Sequence, residues 1–190
     1  FEEAVARNGS EYNRLILANA LQSAGRYDEA AATLATAQRA APLSVAPRIA
    51  QAQLLAQQGE IDAAIAQFER AAREQRFRLE SPLTTLQAEA QMLLDAGRFD
   101  DAERVIDAAR ALRADDATTS QLRGDLYRQH GDSTAAIAAY RRALALDDQR
   151  LAALFALRDE IQRAGEGSAV LPLLEEALAA NPDEPTLALL

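Results

Sequence analysis

Small and apolar residues recur along this chain at the i, i+4, i+7 spacing that places them on one helical face. The pattern is tied to a ladder of glycines. Gly25, Gly59, Gly97, Gly131 and Gly165 stand 34, 38, 34 and 34 residues apart. Five residues after each comes Ala30, Ala64, Ala102, Ala136 or Val170, and four later a larger apolar residue, Leu34, Phe68, Ile106, Tyr140 or Leu174. Three beyond that is always alanine: Ala37, Ala71, Ala109, Ala143 and Ala177. Before the glycines the same order holds, with Leu17, Ala18 and Leu21, then Ala52 and Leu55, Ala90 and Leu93, and Gly124 and Tyr127. Each glycine is therefore expected to close one helix in the left-handed conformation and hand over to the next.

This register predicts paired helices at 11–24 and 27–40, 45–58 and 61–75, 83–96 and 99–112, 117–130 and 133–146, and 151–164 and 168–180. The corresponding repeats are 11–44, 45–78, 83–116, 117–150 and 151–184, with partial helices at 1–8 and 185–190. Pro42 and Pro182 fall just past second helices, where a residue that cannot continue a helix is tolerated. Between the second and third repeats four extra residues lie within 75–82, absorbed either by a longer helix or by a loop. Arg73, Arg76 and Arg78 around Phe77 make a basic cluster there, read as a solvated helix face or as a hinge or docking point for an acidic partner. In the fifth repeat Arg158 replaces the small residue, and Ser168 is a candidate N-cap ahead of Pro172. Because the first residues read as the middle of a second helix and 187–190 as the start of a first one, the chain reads as a segment of a longer protein.

The clearest copy of the unit is Gly124, Tyr127, Gly131, Ala136, Tyr140 and Ala143. It resembles the tetratricopeptide repeat, whose small and aromatic first-helix residues and A-x3-F second helix recur about every 34 residues. The resemblance covers nearly the whole chain and implies an all-α class: an α-solenoid, a right-handed superhelix whose repeats each contact their neighbours. It also implies that first helices line a concave face. Read onto this sequence, one column of that face is Asn19, Gln53, Gln91, Asp125 and Asp159; a neighbouring one is Leu15, Ile49, Gln87, Gln121 and Phe155, with Tyr12 at the entrance. Such amides and aspartates suit the backbone of an extended peptide, with Tyr12, Leu15, Ile49 and Phe155 as apolar contacts. The alternative is a merely hydrated groove wall. The basic clamp with which some relatives grip a C-terminal carboxylate is missing, since Leu15 and Ile49 stand where a cation is needed. Gln51, Glu89 and Arg123 occupy a slot where the family usually carries leucine, so partial burial is expected, with Glu89 and Arg123 able to pair across a repeat interface.

Composition narrows the function further. Leucine and alanine dominate, aromatics are 5%, and β-branched runs are absent, which favours helix over strand. The net charge of −9 argues against a nucleic-acid-binding face, which needs clustered basic residues. All 20 basic residues are arginine, a bias that points to a GC-rich bacterial genome. Cysteine is absent, which excludes thiolate chemistry and a Cys-based zinc site, and one histidine, His130, cannot build a triad or an ordinary zinc site. The carboxylate pairs Asp100–Asp101, Asp115–Asp116 and Asp147–Asp148 fall at repeat turns, where they are expected to cap or complement the following helix. No apolar run approaches a membrane span, so no direct membrane insertion is expected of this segment. The expectation is a non-catalytic scaffold without cofactor or metal that binds a protein or peptide partner. Two further readings stand beside it: a scaffold of a bacterial exopolysaccharide or cellulose-like secretion machine in the periplasm, and the substrate-presenting arm of a larger transferase. The compartment stays open between periplasm and cytoplasm, with a lean to the periplasm, and exposed apolar ends such as 187–190 make self-association a further possibility.

Overall fold

The computed structural model describes residues 10–78, 81–147 and 151–170, together with 172 and 175. Within them the chain is an all-α helical repeat array with no strand. The helices are α1 (Glu11–Ser23), α2 (Tyr27–Ala40), α3 (Ala46–Gln57), α4 (Ile61–Phe77), α5 (Leu83–Asp95), α6 (Phe99–Leu112), α7 (Ala117–Gln129), α8 (Ser133–Leu146) and α9 (Leu151–Arg163), followed by a 3-10 turn, Gly167–Ala169. The predicted spans of α2, α6 and α8 coincide with those observed, and the others differ by two residues or fewer at either end. The expected partial helices at 1–8 and 185–190, most of the helix expected at 168–180, and the apolar end 187–190 lie outside the described residues. So does the side chain of Ser168.

Each ladder glycine has a positive φ, from 70° at Gly97 to 83° at Gly59. The turn they build is the same five times. The glycine N–H donates to a carbonyl three residues back, and the next N–H reaches five back, as in Gly97 to Leu94 at 3.1 Å and Arg98 to Leu93 at 2.8 Å. This pair of bonds satisfies two carbonyls that the helix end leaves open. The residue after the glycine then gives its own carbonyl to the next helix: Ala102 N–H donates to Arg98 at 2.9 Å. One residue thus ends one helix and starts another, which is why an apolar residue, alanine in four repeats and Val170 in the fifth, follows the glycine at a constant distance of five.

The two packed units of the chain are Phe1–Met92 and Leu93–Leu190. In the first, α1 packs on α2, α2 on α3 and α3 on α4. Ala18, Leu21, Ala30, Leu34 and Leu54 form one core cluster there. Ala52, Ala64, Phe68 and Ala71 are fully buried. Leu54 rather than the expected Leu55 is the deeply buried leucine of α3. The extra residues near 75–82 are absorbed mostly by helix: α4 has 17 residues where α2, α6 and α8 have 14. Gln75, in this added turn, is buried and accepts a hydrogen bond from the Thr85 hydroxyl of α5 at 2.6 Å. Phe77 at its end is 91% exposed.

In the second unit α6 packs on α7, α7 on α8 and α8 on α9. Ala136, Ile137, Tyr140, Leu157 and Ile161 form its core cluster, with Tyr127 partly buried against it. In α9 it is Leu157 that goes inside; Arg158 is half-buried, its guanidinium over the Phe155 ring and paired with Asp159 at 2.7 Å. The repeat-turn aspartates divide. Asp116 and Asp132 cap α7 and α8, accepting from Thr119 N–H at 2.8 Å and Ala135 N–H at 2.9 Å. Asp100 and Asp101 instead sit inside the first turn of α6, and Asp147 flanks the C-terminal end of α8, so neither position is an N-cap. Among the described residues no helix is long and apolar enough to cross a membrane.

Candidate functional site

The first expected column starts from the buried small residue of each first helix, because its members follow that residue by one position. In the first unit Ala18, Ala52 and Ala90 are at most 1% exposed, while Asn19, Gln53 and Gln91 next to them are exposed. A helical step of about 100° between neighbours turns the amide away from the face that the alanine buries. Tyr12, at the start of α1, is 70% exposed. Leu15 does not stand clear beside it: it is partly buried against the α1–α2–α3 core and so contributes to packing. Ile49 and Gln87 are half-buried.

In the second unit the column changes character at Asp125. Its carboxylate accepts the Tyr140 hydroxyl at 2.8 Å and pairs with Arg128 at 3.0 Å, with only 14% of the side chain exposed. Asp125 is thus satisfied within its own repeat. Burial raises its carboxyl above the ordinary aspartate range; the Tyr140 hydrogen bond and the Arg128 charge pull the other way, and Asp95 adds a small push upward. Burial, followed by the Asp125 charge, holds the Tyr140 phenol well above its ordinary value. Gln121 and Phe155 are half-buried, and Asp159 is exposed with Arg158 alongside.

The slot in which leucine is replaced shows the expected partial burial. Glu89 is 4% exposed, and Gln51 and Arg123 are half-buried. Arg123 donates from Nε to the Tyr127 hydroxyl at 2.9 Å and lies over that ring, 5.4 Å from its centroid. His130 is the exposed C-terminal cap of α7 and meets Phe99 edge-on at 6.0 Å. Among the described residues no three His, Asp or Glu side chains gather as a metal site.

Two buried charges have no counterpart in the sequence pattern. Glu160 is 1% exposed, accepts the Ser133 hydroxyl at 2.5 Å and pairs with Arg163. Arg48, 8% exposed at the start of α3, pairs with Glu74 of α4 at 3.3 Å. Burial lowers the pKa of Arg48 and the Glu74 charge opposes that shift. Glu74 lies 26 residues from Arg48, and Ser133 lies 27 from Glu160, so no local spacing announces either contact.

A family model described as tetratricopeptide repeat matches residues 16–78 and 88–150, well over half of the chain. The chain is a tetratricopeptide repeat protein. None of the curated proteins compared with it matches. Among solved structures, this tetratricopeptide repeat chain is similar to a thermophilic TPR protein of Thermus thermophilus, at 22% identity and a TM-score of 0.67, covering 95% of this chain and 96% of that one. It is similar to PilF of Pseudomonas aeruginosa at 14% identity and TM-score 0.68, covering 96% and 81% of the two chains. A third similarity is to the APC/C hetero-tetramer Cut9-Hcn1, at 18% identity and TM-score 0.69; it covers 98% of this chain but only 36% of that one. At these identities the likeness speaks for the fold alone.

Proposed function

We propose that this tetratricopeptide repeat protein is a non-catalytic scaffold that binds a protein or peptide partner through the outward residues of its first helices. The observation that carries this reading is the run of exposed amides at one repeat position, Asn19, Gln53 and Gln91, each beside a buried alanine. Side-chain amides both donate and accept, so a row of them suits the alternating N–H and C=O groups of an extended peptide. Tyr12 adds an exposed aromatic face at the start of α1, the helix that carries Asn19. Asp125 is left out of the contact set because its carboxylate is already committed to Tyr140 and Arg128. A modular affinity in the micromolar range, about −8 kcal/mol, fits such a surface.

The test uses a partner isolated by pull-down from the native organism and identified by mass spectrometry. Replacing Gln53 and Gln91 together by alanine should weaken that partner by about tenfold or more, as lost interface hydrogen bonds do. Both side chains are exposed, so the melting temperature should move by no more than a few degrees. Unchanged affinity in calorimetry would remove the amide row from the binding surface.

A further inference from the structure

The second unit has a cleft of about 360 Å³ between α6, α7 and α8 that is lined by Arg110, Arg123 and Arg142. Ala114 and Ala139 complete the lining with Thr119 and Ser120. Three arginines in one lining stand out in a chain that carries 29 acidic and 20 basic residues. We propose that this cleft docks an acidic segment of a partner protein, the segment's carboxylates seating on the three guanidinium groups. The proposal rests on the protein-binding reading above and adds a second surface, made of different residues from the amide row.

The three arginines are held in different ways. Arg123 is half-buried and its orientation is set by the Tyr127 hydroxyl and ring. It is a cation held in place through its Nε by a neutral phenol. Arg142 and Arg110 are the outer arms. Arg142 pairs with Asp115 from the α6–α7 connection, and Arg110 pairs with Asp107 at 3.3 Å, all four side chains being about half exposed or more. Exposed ion pairs of this kind contribute little to stability, so an incoming carboxylate displaces them easily. Asp115 already shows that a carboxylate fits on Arg142.

The hydroxyls in the wall do not compete for this role. Thr119 Oγ1 donates to the Asp116 carboxylate at 3.0 Å, and Ser120 Oγ donates to the Asp116 carbonyl at 2.9 Å. Recognition therefore falls to the guanidinium forks, whose geometry matches carboxylate oxygens. A nucleic acid is disfavoured as the occupant, because it needs an extended basic face and this chain has a net charge of −9. A short acidic segment needs only the local field.

The test is fluorescence anisotropy on the full chain with a short labelled Glu-rich peptide, its Gln counterpart, and unlabelled inorganic phosphate as competitor. The Glu peptide should bind and the Gln peptide should not. Arg142→Ala and Arg110→Ala should each weaken binding by about tenfold, the usual size of one lost charge-assisted contact. Asp115→Asn, which frees Arg142, should tighten it; Arg104→Ala, outside the cleft, should leave it alone. Circular dichroism melts confirm that these surface variants fold. Absence of Glu-peptide binding, equal binding of the Gln peptide, or indifference to both arginine substitutions would overturn the proposal. Binding of phosphate without the Glu peptide would overturn it too, marking the cleft as a small-oxyanion site. The Gln53→Ala/Gln91→Ala variant should still bind the Glu peptide. If the peptide fails while the native partner still depends on those two glutamines, the cleft falls and the amide row stands.

Discussion

The second and fourth repeats place the same kinds of residue at the same positions and reach different results. In the second, Ala52 and Phe68 are both fully buried, and Gln53, next after the alanine, is exposed. In the fourth, the corresponding residues are Gly124, Tyr140 and Asp125, and the carboxylate is drawn back onto the Tyr140 hydroxyl. In the fourth repeat the ring lies so close to the first helix that only glycine fits opposite it. A buried hydroxyl needs an acceptor, and Asp125 supplies it. One added oxygen on the core aromatic therefore removes one position from the outward column.

The strongest way to break the comparison is to make the fourth repeat use the alanine of the second. A Cβ on Gly124 would stand 2.5 and 2.6 Å from Cε1 and Cδ1 of Tyr140, and 3.0 Å from Cζ. Ring atoms cannot swing aside as a flexible side-chain end can. Gly124→Ala should therefore destabilise the chain by about 1–3 kcal/mol, although glycine to alanine inside a helix ordinarily gains up to about 1 kcal/mol. Adding Tyr140→Leu, which recreates the Ala18 and Leu34 pairing of the first repeat, should recover part of the loss in urea denaturation. A stabilised Gly124→Ala would show that the ring does not confine this position.

The next test removes the hydroxyl and keeps the ring. Tyr140→Phe deprives the buried Asp125 carboxylate of its phenol donor and leaves it paired with Arg128. The expected cost at neutral pH is about 1–2 kcal/mol. The pH dependence carries more information than the size. Asp125 has a raised folded pKa, so its contribution is fully present below the unfolded value, about 3.9, and is lost as pH rises through the folded one. Because the Tyr140 hydrogen bond lowers that pKa, its removal pushes the folded value higher and enlarges the loss. The gap between wild type and Tyr140→Phe should widen from pH 4 to pH 7 in denaturant melts. A constant gap would mean that Asp125 ionisation is not what the hydroxyl serves.

These positions also show what was legible in the sequence and why. The glycine ladder and the alanine spacing could be read because a positive φ and its two turn hydrogen bonds are local, involving residues within five of each other. Helices α2, α6 and α8 follow from that turn at their starts. The loss of Asp125 from the outward column depends instead on a contact 15 residues away. A signal was nonetheless present: of the five large residues after the glycines, Tyr140 alone carries a hydroxyl. Leu15 packs inward although its register suits a groove contact, because column spacing locates a helix face but not how far neighbouring helices cover it. Glu160 lies on a helix face otherwise rich in leucine, and its burial requires Ser133 from the preceding helix.

The smallest effect comes from moving the fourth repeat's carboxylate into the second. Gln53 is exposed, and the large residue of its repeat, Phe68, has no hydroxyl with which to recruit an acceptor. Gln53→Asp should therefore stay in water, titrate as an ordinary aspartate and change stability by no more than about 0.5 kcal/mol. NMR titration of the new carboxyl measures this directly. A clearly raised pKa at position 53 would show that the column itself desolvates its residues, whatever ring lies behind them. An ordinary value would assign the behaviour of Asp125 to Tyr140.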